Sequence, residues 1–312
     1  MPADSRRWRR ASTSSRNFTP AGLETRLYDV RNEARCQASV VEAGLRPAAL
    51  IMERHVQTAA ATISYSIDGA ADATTLLFIN SIATTRELWS RQVAALAESH
   101  RLITYDARGH GRSSVPSGAY TIERLGRDAL AILDAESVAS AHVCGISLGG
   151  ITAMWLGVHA PDRVRSLTLA NTGARIGSVE MWSERITLVR EKGMAALAEL
   201  TMPRWFTEAF RAREPKTIAQ FRAMVAACPP EGYLGCCAAL RDEDLRDAVG
   251  SIRRPVLAIA GRADVATPVE ALQFVHEKIA GSTLVMIESA HLSNVECAEE
   301  FNAALAGFLA AG

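Results

Sequence analysis

The stretch Gly145-Ile146-Ser147-Leu148-Gly149-Gly150 sets one serine among glycines where an apolar run, His142–Cys144, gives way to a helical pattern, Ile151–His159. A G-x-S-x-G string alone is common. Between a strand and a helix it describes a nucleophile elbow. Small residues let the backbone crowd into a sharp turn, which pushes the Ser147 hydroxyl out at the end of a sheet. The first turn of the following helix offers unpaired N–H groups to an anion. Ser147 is therefore the expected nucleophile for attack on a carbonyl carbon. The plain alternative is an idle serine in a glycine-rich turn.

A hydroxyl needs a base beside it, and the base needs an orienting acid. A serine on such an elbow takes first the acid and then the histidine from later in the chain. Three histidines lie downstream. His159 stands about three turns along the helix after the elbow and is expected to be structural. His276 falls in the helical pattern Glu270–Ile279 and reads as surface. His291, in SAHLSNVE, follows the last strand pattern in a loop before the final helix, where a base belongs. Asp264, in AGRADVATP, directly follows the strand pattern Pro255–Ala260 and is the expected acid, the alternative being a helix-capping aspartate. Asp244 and Asp247 lie in a helical block and are weaker choices. The oxyanion hole is expected from the N–H of Leu148 and one N–H of the loop FINSIATTRELW. That second donor is assigned to Ile82, with one residue either way left open.

These residues need a scaffold, and the patterning from about residue 53 supplies one. His55–Ala60 and Thr62–Ile67 alternate as a hairpin would. Thr74–Ile79, Arg101–Tyr105, Ala141–Gly145, Val164–Ala170, Pro255–Ala260 and Thr283–Ile287 are short apolar runs typical of strands buried on both faces. Helical periods separate them: Trp89–Glu98, Ile122–Leu133, Leu148–His159, Glu270–Ile279 and Cys297–Leu309. The expectation is an α/β fold, an eight-stranded mostly parallel sheet with helices on both faces. Residues 174–249 break the rhythm with helical pieces Arg190–Leu200, Lys216–Ala227 and Tyr233–Leu240, punctuated by Pro203, Pro229 and Pro230. They read as a helical cap inserted between the core segments 52–173 and 250–312.

Composition closes off several function classes. Lys plus Arg is 34 and Asp plus Glu is 34, so no global field draws nucleic acid or an anionic membrane. No run of about 18 apolar residues is present, which excludes a helical membrane span. Apolar residues at 48% and charged residues at 22% fit a globular chain of one large α/β unit or two domains. Cys36, Cys144, Cys228, Cys236, Cys237 and Cys297 have no metal-ligand spacing and read as thiols in a reducing cytoplasm. The opening segment carries Arg6, Arg7, Arg9, Arg10 and Arg16 against Asp4 and has no apolar core. Residues 1–51 are therefore expected to be a poorly ordered basic extension, with a transit peptide or a nucleic-acid arm as alternatives. The compact unit is expected to begin near Met52, which could be the true start.

From about Met52 to the C-terminus the chain resembles the α/β-hydrolase superfamily and, within it, the 3-oxoadipate enol-lactonases of bacterial aromatic catabolism. YDARGHGRS at Tyr105–Ser113, GISLGG and the Asp264/His291 pair are superfamily features. Asn80-Ser81 in place of His-Gly, YTIERLGRDALAILDA at Tyr120–Ala135, WLGVHAPDRV at Trp155–Val164, LANTGARIG at Leu169–Gly177, RWFT at Arg204–Thr207, PPEGYLGCCAALRDEDLRD at Pro229–Asp247 and AHLSNVE at Ala290–Glu296 resemble the lactonase subgroup. The resemblance implies opening of a five-membered enol lactone by a Ser–His–Asp triad through an acyl-enzyme, with no metal or organic cofactor. A small lactone is then the only partner implied, with neither nucleic acid nor membrane. The N-terminal extension departs from the family pattern.

Such a lactone carries a carboxylate, which is costly to bury without a cation. Arg86, Arg112 and Arg204 are the choices. Arg204 is favoured because Trp205 and Phe206 flank it, and Trp155 is carried as a second expected substrate contact. Competing expectations are another serine hydrolase of this fold (a carboxylesterase or perhydrolase) and a catalytically dead small-molecule receptor. Ser147 disfavours relatives whose nucleophile is aspartate.

Overall fold

A computed structural model describes residues 53–311. The basic extension and the proposed start at Met52 lie outside the described residues. In chain order the elements are β1 (Arg54–Gln57), β2 (Thr62–Gly69), β3 (Thr75–Ile79), α1 (Ser90–Leu96), β4 (Arg101–Tyr105), α2 (Ile122–Ala135), β5 (Ala141–Ile146), α3 (Leu148–His159) and β6 (Val164–Ala170). Four helices follow, α4 (Val179–Trp205), α5 (Glu208–Arg213), α6 (Pro215–Ala227) and α7 (Pro230–Asp242). The chain then returns through β7 (Val256–Gly261), α8 (Val269–Lys278), β8 (Thr283–Ile287), α9 (Ser293–Glu296) and α10 (Ala298–Ala311).

The eight strands form one sheet in the order β1-β2-β4-β3-β5-β6-β7-β8. β1 pairs antiparallel with β2 and β2 with β4; every later pairing is parallel. β3, β5 and β7 are buried at every residue, as strands covered on both faces must be. α2 shows why it forms and which way it faces. The Thr121 hydroxyl accepts the Arg124 N–H at 3.1 Å, capping the first turn. Ile122, Leu125, Ala129, Ile132 and Leu133 make one buried stripe. α2 packs on α3, and α1 packs on α10.

Strand and helix types match expectation, and several ends move. β1 stops at Gln57 because Thr58 turns the chain, its N–H and hydroxyl both donating to the Ala61 carbonyl at 2.8 and 3.0 Å. The segment Arg190–Leu200 is part of the longer α4, which breaks at Gly193, where φ is 74°. α5 and α9 had no counterpart in the patterning; Thr207 starts α5 by accepting the Phe210 N–H at 3.2 Å. No helix among the described residues is long and apolar enough to cross a membrane.

The helices between β6 and β7 are held to the rest of the chain at close quarters. A Cβ on Gly232 of α7 would lie 2.0 Å from the Gly109 carbonyl oxygen, so only glycine permits that approach. The Tyr120 N–H donates to the Gly235 carbonyl at 3.1 Å nearby. At the stalk, the Leu245 N–H reaches the Ala174 carbonyl at 2.8 Å.

Candidate active site

Ser147 sits between β5 and α3 with φ 57° and ψ −116°, a conformation L-residues adopt only under constraint. The constraint is visible in its neighbours. A Cβ on Gly145 would meet the Gly149 carbonyl oxygen at 2.1 Å, and one on Gly149 would meet that of Ile79 at 2.0 Å. The Ser147 N–H donates to the Ala170 carbonyl at 3.0 Å, and the Thr172 hydroxyl donates to the Ser147 carbonyl at 2.8 Å. The elbow is thus clamped to β3 on one side and to the exit of β6 on the other.

His291 and Asp264 come together from the loops after β8 and β7. His291 Nδ1 lies 2.8 Å from Asp264 Oδ2, and both side chains are buried. The Asp264 carboxylate also accepts the Ala266 and Thr267 N–H groups at 2.8 and 2.9 Å on Oδ1. On Oδ2 it takes the Thr267 hydroxyl at 2.6 Å and the Asn171 amide at 3.0 Å. Burial pushes this carboxyl up, but the His291 charge, the His291 hydrogen bond and the Thr267 donors outweigh it and hold it at about 2. Asp264 is therefore an anion at neutral pH, and its place favours a proton on His291 Nδ1. That leaves Nε2 as the basic atom.

Ser147 and His291 line one cavity with Ile82, Ile176, Met181, Trp182, Arg185, Thr201, Arg204, Trp205, Ala266 and Thr267. The floor comes from the sheet loops and the roof from α4. Leu148 opens α3, where the N–H has no carbonyl a turn earlier to bond. On the other loop, the Ala83 N–H is already taken by His110 Nε2 at 3.0 Å. His110 Nδ1 lies 3.1 Å from the Arg108 carbonyl, so it carries the proton and Nε2 accepts. Burial lowers the His110 pKa and keeps the ring neutral for that role. This removes Ala83 from the open choice and leaves Ser81 and Ile82, of which Ile82 lines the cavity. Asn80 braces the same loop, donating to the Tyr105 carbonyl and accepting from the Trp89 indole, both at 2.8 Å.

The three arginines separate cleanly. Arg86 is buried outside the cavity, its guanidinium 3.7 Å from Glu53. Arg112 is exposed and lies 3.9 Å from the same acid. Arg204 lines the cavity, with Nη2 3.3 Å from the Val265 carbonyl. Beside it is Arg185, which the sequence had not singled out; its guanidinium lies 5.6 Å from the Trp182 ring centre and 3.4 Å from the Tyr233 hydroxyl. Among the described residues no carboxylate lies within ion-pairing distance of Arg185 or Arg204. Burial, then the neighbouring Arg185 charge, lowers the Arg204 pKa.

Trp155 must be corrected. It lies on α3 and packs on α2, where a Cβ on Gly126 would strike its ring at 2.2 Å, and its ring lies 4.9 Å from that of His159. It does not line the cavity; the tryptophans that do are Trp182 and Trp205. His159, at the end of α3, is exposed and does not line the cavity. Asn171 and Thr267 are the partners of Asp264 that sequence reasoning missed. Asn171 had one signal, its position directly after β6 at the same end of the sheet as Ser147.

A model of the α/β hydrolase fold matches residues 74–297. The chain belongs to the α/β-hydrolase family. It is 41% identical to 3-oxoadipate enol-lactonase 2 of Acinetobacter baylyi over 78% of this chain and 91% of that one. Among solved structures it is similar to a hydrolase from Pseudomonas aeruginosa PA01 (43% identity, TM-score 0.81, covering 83% of this chain and 98% of that one). It is also similar to the enol-lactonase from Burkholderia xenovorans LB400 (37% identity, TM-score 0.81, covering 82% and 100%).

Proposed function

We propose that this α/β hydrolase opens 3-oxoadipate enol-lactone to 3-oxoadipate, a step of aromatic-compound catabolism carried out in the cytoplasm. The observation that carries the reading is the cavity itself. It sets Ser147 and His291 on the floor under two arginines without carboxylate partners, which suits an ester that bears a carboxylate. Similarity to lactonases at about 40% identity supports the same substrate.

The chemistry follows from the groups present. Ser147 Oγ attacks the lactone carbonyl as His291 Nε2 takes its proton, and Asp264 holds the ring and stabilises the imidazolium. The N–H groups of Ile82 and Leu148 receive the developing oxyanion. Collapse breaks the ring C–O bond and expels an enol, a better leaving group than an alkoxide, which takes a proton and becomes the ketone. His291 then activates water, which releases the acyl group from Ser147. Arg204, with Arg185 beside it, holds the substrate carboxylate. Residues 174–249 act as the cap that encloses it.

Loss of the enol lactone in ultraviolet absorbance, measured beside a panel of neutral esters, tests the proposal. Preference for the lactone by at least about a hundredfold in kcat/KM, abolished by Ser147→Ala, is the expected result. Equal or better turnover of neutral esters makes the protein a carboxylesterase, and no turnover of any ester makes it a binding protein.

A further inference from the structure

Glu296 lies on α9, one short loop beyond His291, and only 7% of it is exposed. Its carboxylate touches two separate segments. Oε2 accepts the Ala290 N–H at 3.0 Å, in the loop that carries His291. Both oxygens stand 3.3 Å from the Thr207 N–H, and Oε1 also accepts the Thr207 hydroxyl, where the cap passes from α4 to α5. On the far side of His291, the Leu292 N–H donates to the Trp205 carbonyl at 3.1 Å. The residues before and after His291 are therefore both tied to the cap segment 205–207, and Trp205 is a wall of the cavity.

We infer that Glu296 is a positioning residue, a clasp whose one carboxylate sets His291 over Ser147 and holds the cap wall at Trp205 in register with it. The inference rests on Ser147 and His291 acting as nucleophile and base. The buried carboxylate draws its donors from two segments distant in sequence, so removing it frees both at once. On the core side the His291 loop is restrained by Asn171, whose amide donates to the Ala290 carbonyl at 3.2 Å. The Glu296 bond holds the same residue from its N–H side. A base displaced by tenths of an ångström from the serine loses much of its rate, because proton transfer needs a near-attack geometry. Glutamine separates this role from simple packing. It fills the same volume but carries no charge, and it puts a donating amide nitrogen where one carboxylate oxygen accepts, so the charge-assisted bonds to Ala290 and Thr207 are weakened together.

The test uses the full chain and two readouts: the rate at which a fluorophosphonate labels Ser147, and kcat on a neutral aryl ester. Both are scaled to the fraction of molecules that finally label. Glu296→Ala is expected to label ten- to a hundredfold more slowly than the wild type, and Glu296→Gln several-fold more slowly. Both should reach full labelling, with kcat falling in parallel and KM changing less. Wild-type labelling rates in Glu296→Gln overturn the clasp, since packing alone leaves the rate per folded molecule unchanged. If Glu296→Ala fails to fold, Glu296→Gln decides by the same rule. A wild-type protein that never labels overturns the nucleophile assignment instead.

Discussion

His291 Nδ1 and Asp264 Oδ2 are 2.8 Å apart, and that same oxygen accepts the Thr267 hydroxyl and the Asn171 amide. With the Ala266 and Thr267 N–H groups on Oδ1, four donors fix this carboxylate besides the imidazole. In the proposed triad the acid's task is to select a tautomer and to meet the imidazolium charge as it forms. Asp264→Asn keeps the shape but removes the charge and can place an N–H against Nδ1. We expect kcat on any ester substrate to fall by about four orders of magnitude with KM little changed. Steady-state kinetics at neutral pH checks this, and a loss under tenfold would place the acid elsewhere.

The same carboxylate makes stability depend on acid. Its pKa is held at about 2 in the fold against an ordinary 3.8, so the folded state binds the proton less readily than the unfolded chain. A depressed folded pKa gives stability that is full above the unfolded value and is lost as pH falls through the folded one. The window is therefore between roughly pH 4 and pH 2, and the amount is on the order of 2 kcal/mol. Urea melts across that range should show the loss in the wild type. Asp264→Asn should flatten this part of the profile.

Ser147 carries a conformational cost for its position. Positive φ with ψ −116° holds a Cβ where glycine is favoured, a strain of about 1–3 kcal/mol. Ser147→Gly is expected to raise unfolding stability by about 1 kcal/mol, the strain relieved less the extra chain entropy of glycine. Ser147→Ala keeps the Cβ and should match the wild type. Both are expected to be inactive. Denaturation midpoints separate them, and equal stabilities would mean that the elbow is relaxed.

That Ser147, Asp264 and His291 could be proposed as a triad from the sequence, while the residues around them could not be placed, has a physical reason. Each of the three stands where a strand pattern ends, and an apolar run followed by a polar residue is a local signal. Asn171, Thr267, His110 and Glu296 act through bonds to backbone groups or to another side chain, several of them far away in the chain, and leave no spacing behind. Asn171 reaches Asp264 across the whole helical insertion. Trp155 was misplaced for a related reason. α3 is buried almost all round, so its apolar pattern gives no direction to any one side chain, and the contact with Gly126 of α2 is tertiary. The helices between β6 and β7 had blurred ends because the chain leaves the helix at Gly193, re-enters it at once and then carries Pro203 inside it. Arg185 lies outside the helical pieces read from the sequence, and only the cavity puts it beside Arg204.

That pair of arginines gives the most discriminating prediction. Two like charges share a partly buried cavity, and Arg185 contributes to lowering the Arg204 pKa. Neither forms an ion pair with a carboxylate among the described residues, although the Asp264 charge offsets part of the Arg185 repulsion on Arg204. Arg204→Ala and Arg185→Ala should each raise KM for the enol lactone by roughly ten- to a hundredfold, the ~1.5–3 kcal/mol of a charge-assisted hydrogen bond. If one carboxylate bridges both, the double variant loses less than the sum of the two, because the second removal has less to break. A small neutral ester has nothing to anchor and should keep its KM in every variant. The ligand-free variants should melt at or above the wild-type temperature, since repulsion is relieved. This sign separates an anion site from a structural arginine, whose removal lowers the melting temperature and harms both substrates alike. Equal losses on lactone and ester, together with a lower melting temperature, would assign the pair to the cap's architecture and leave the substrate carboxylate to another group.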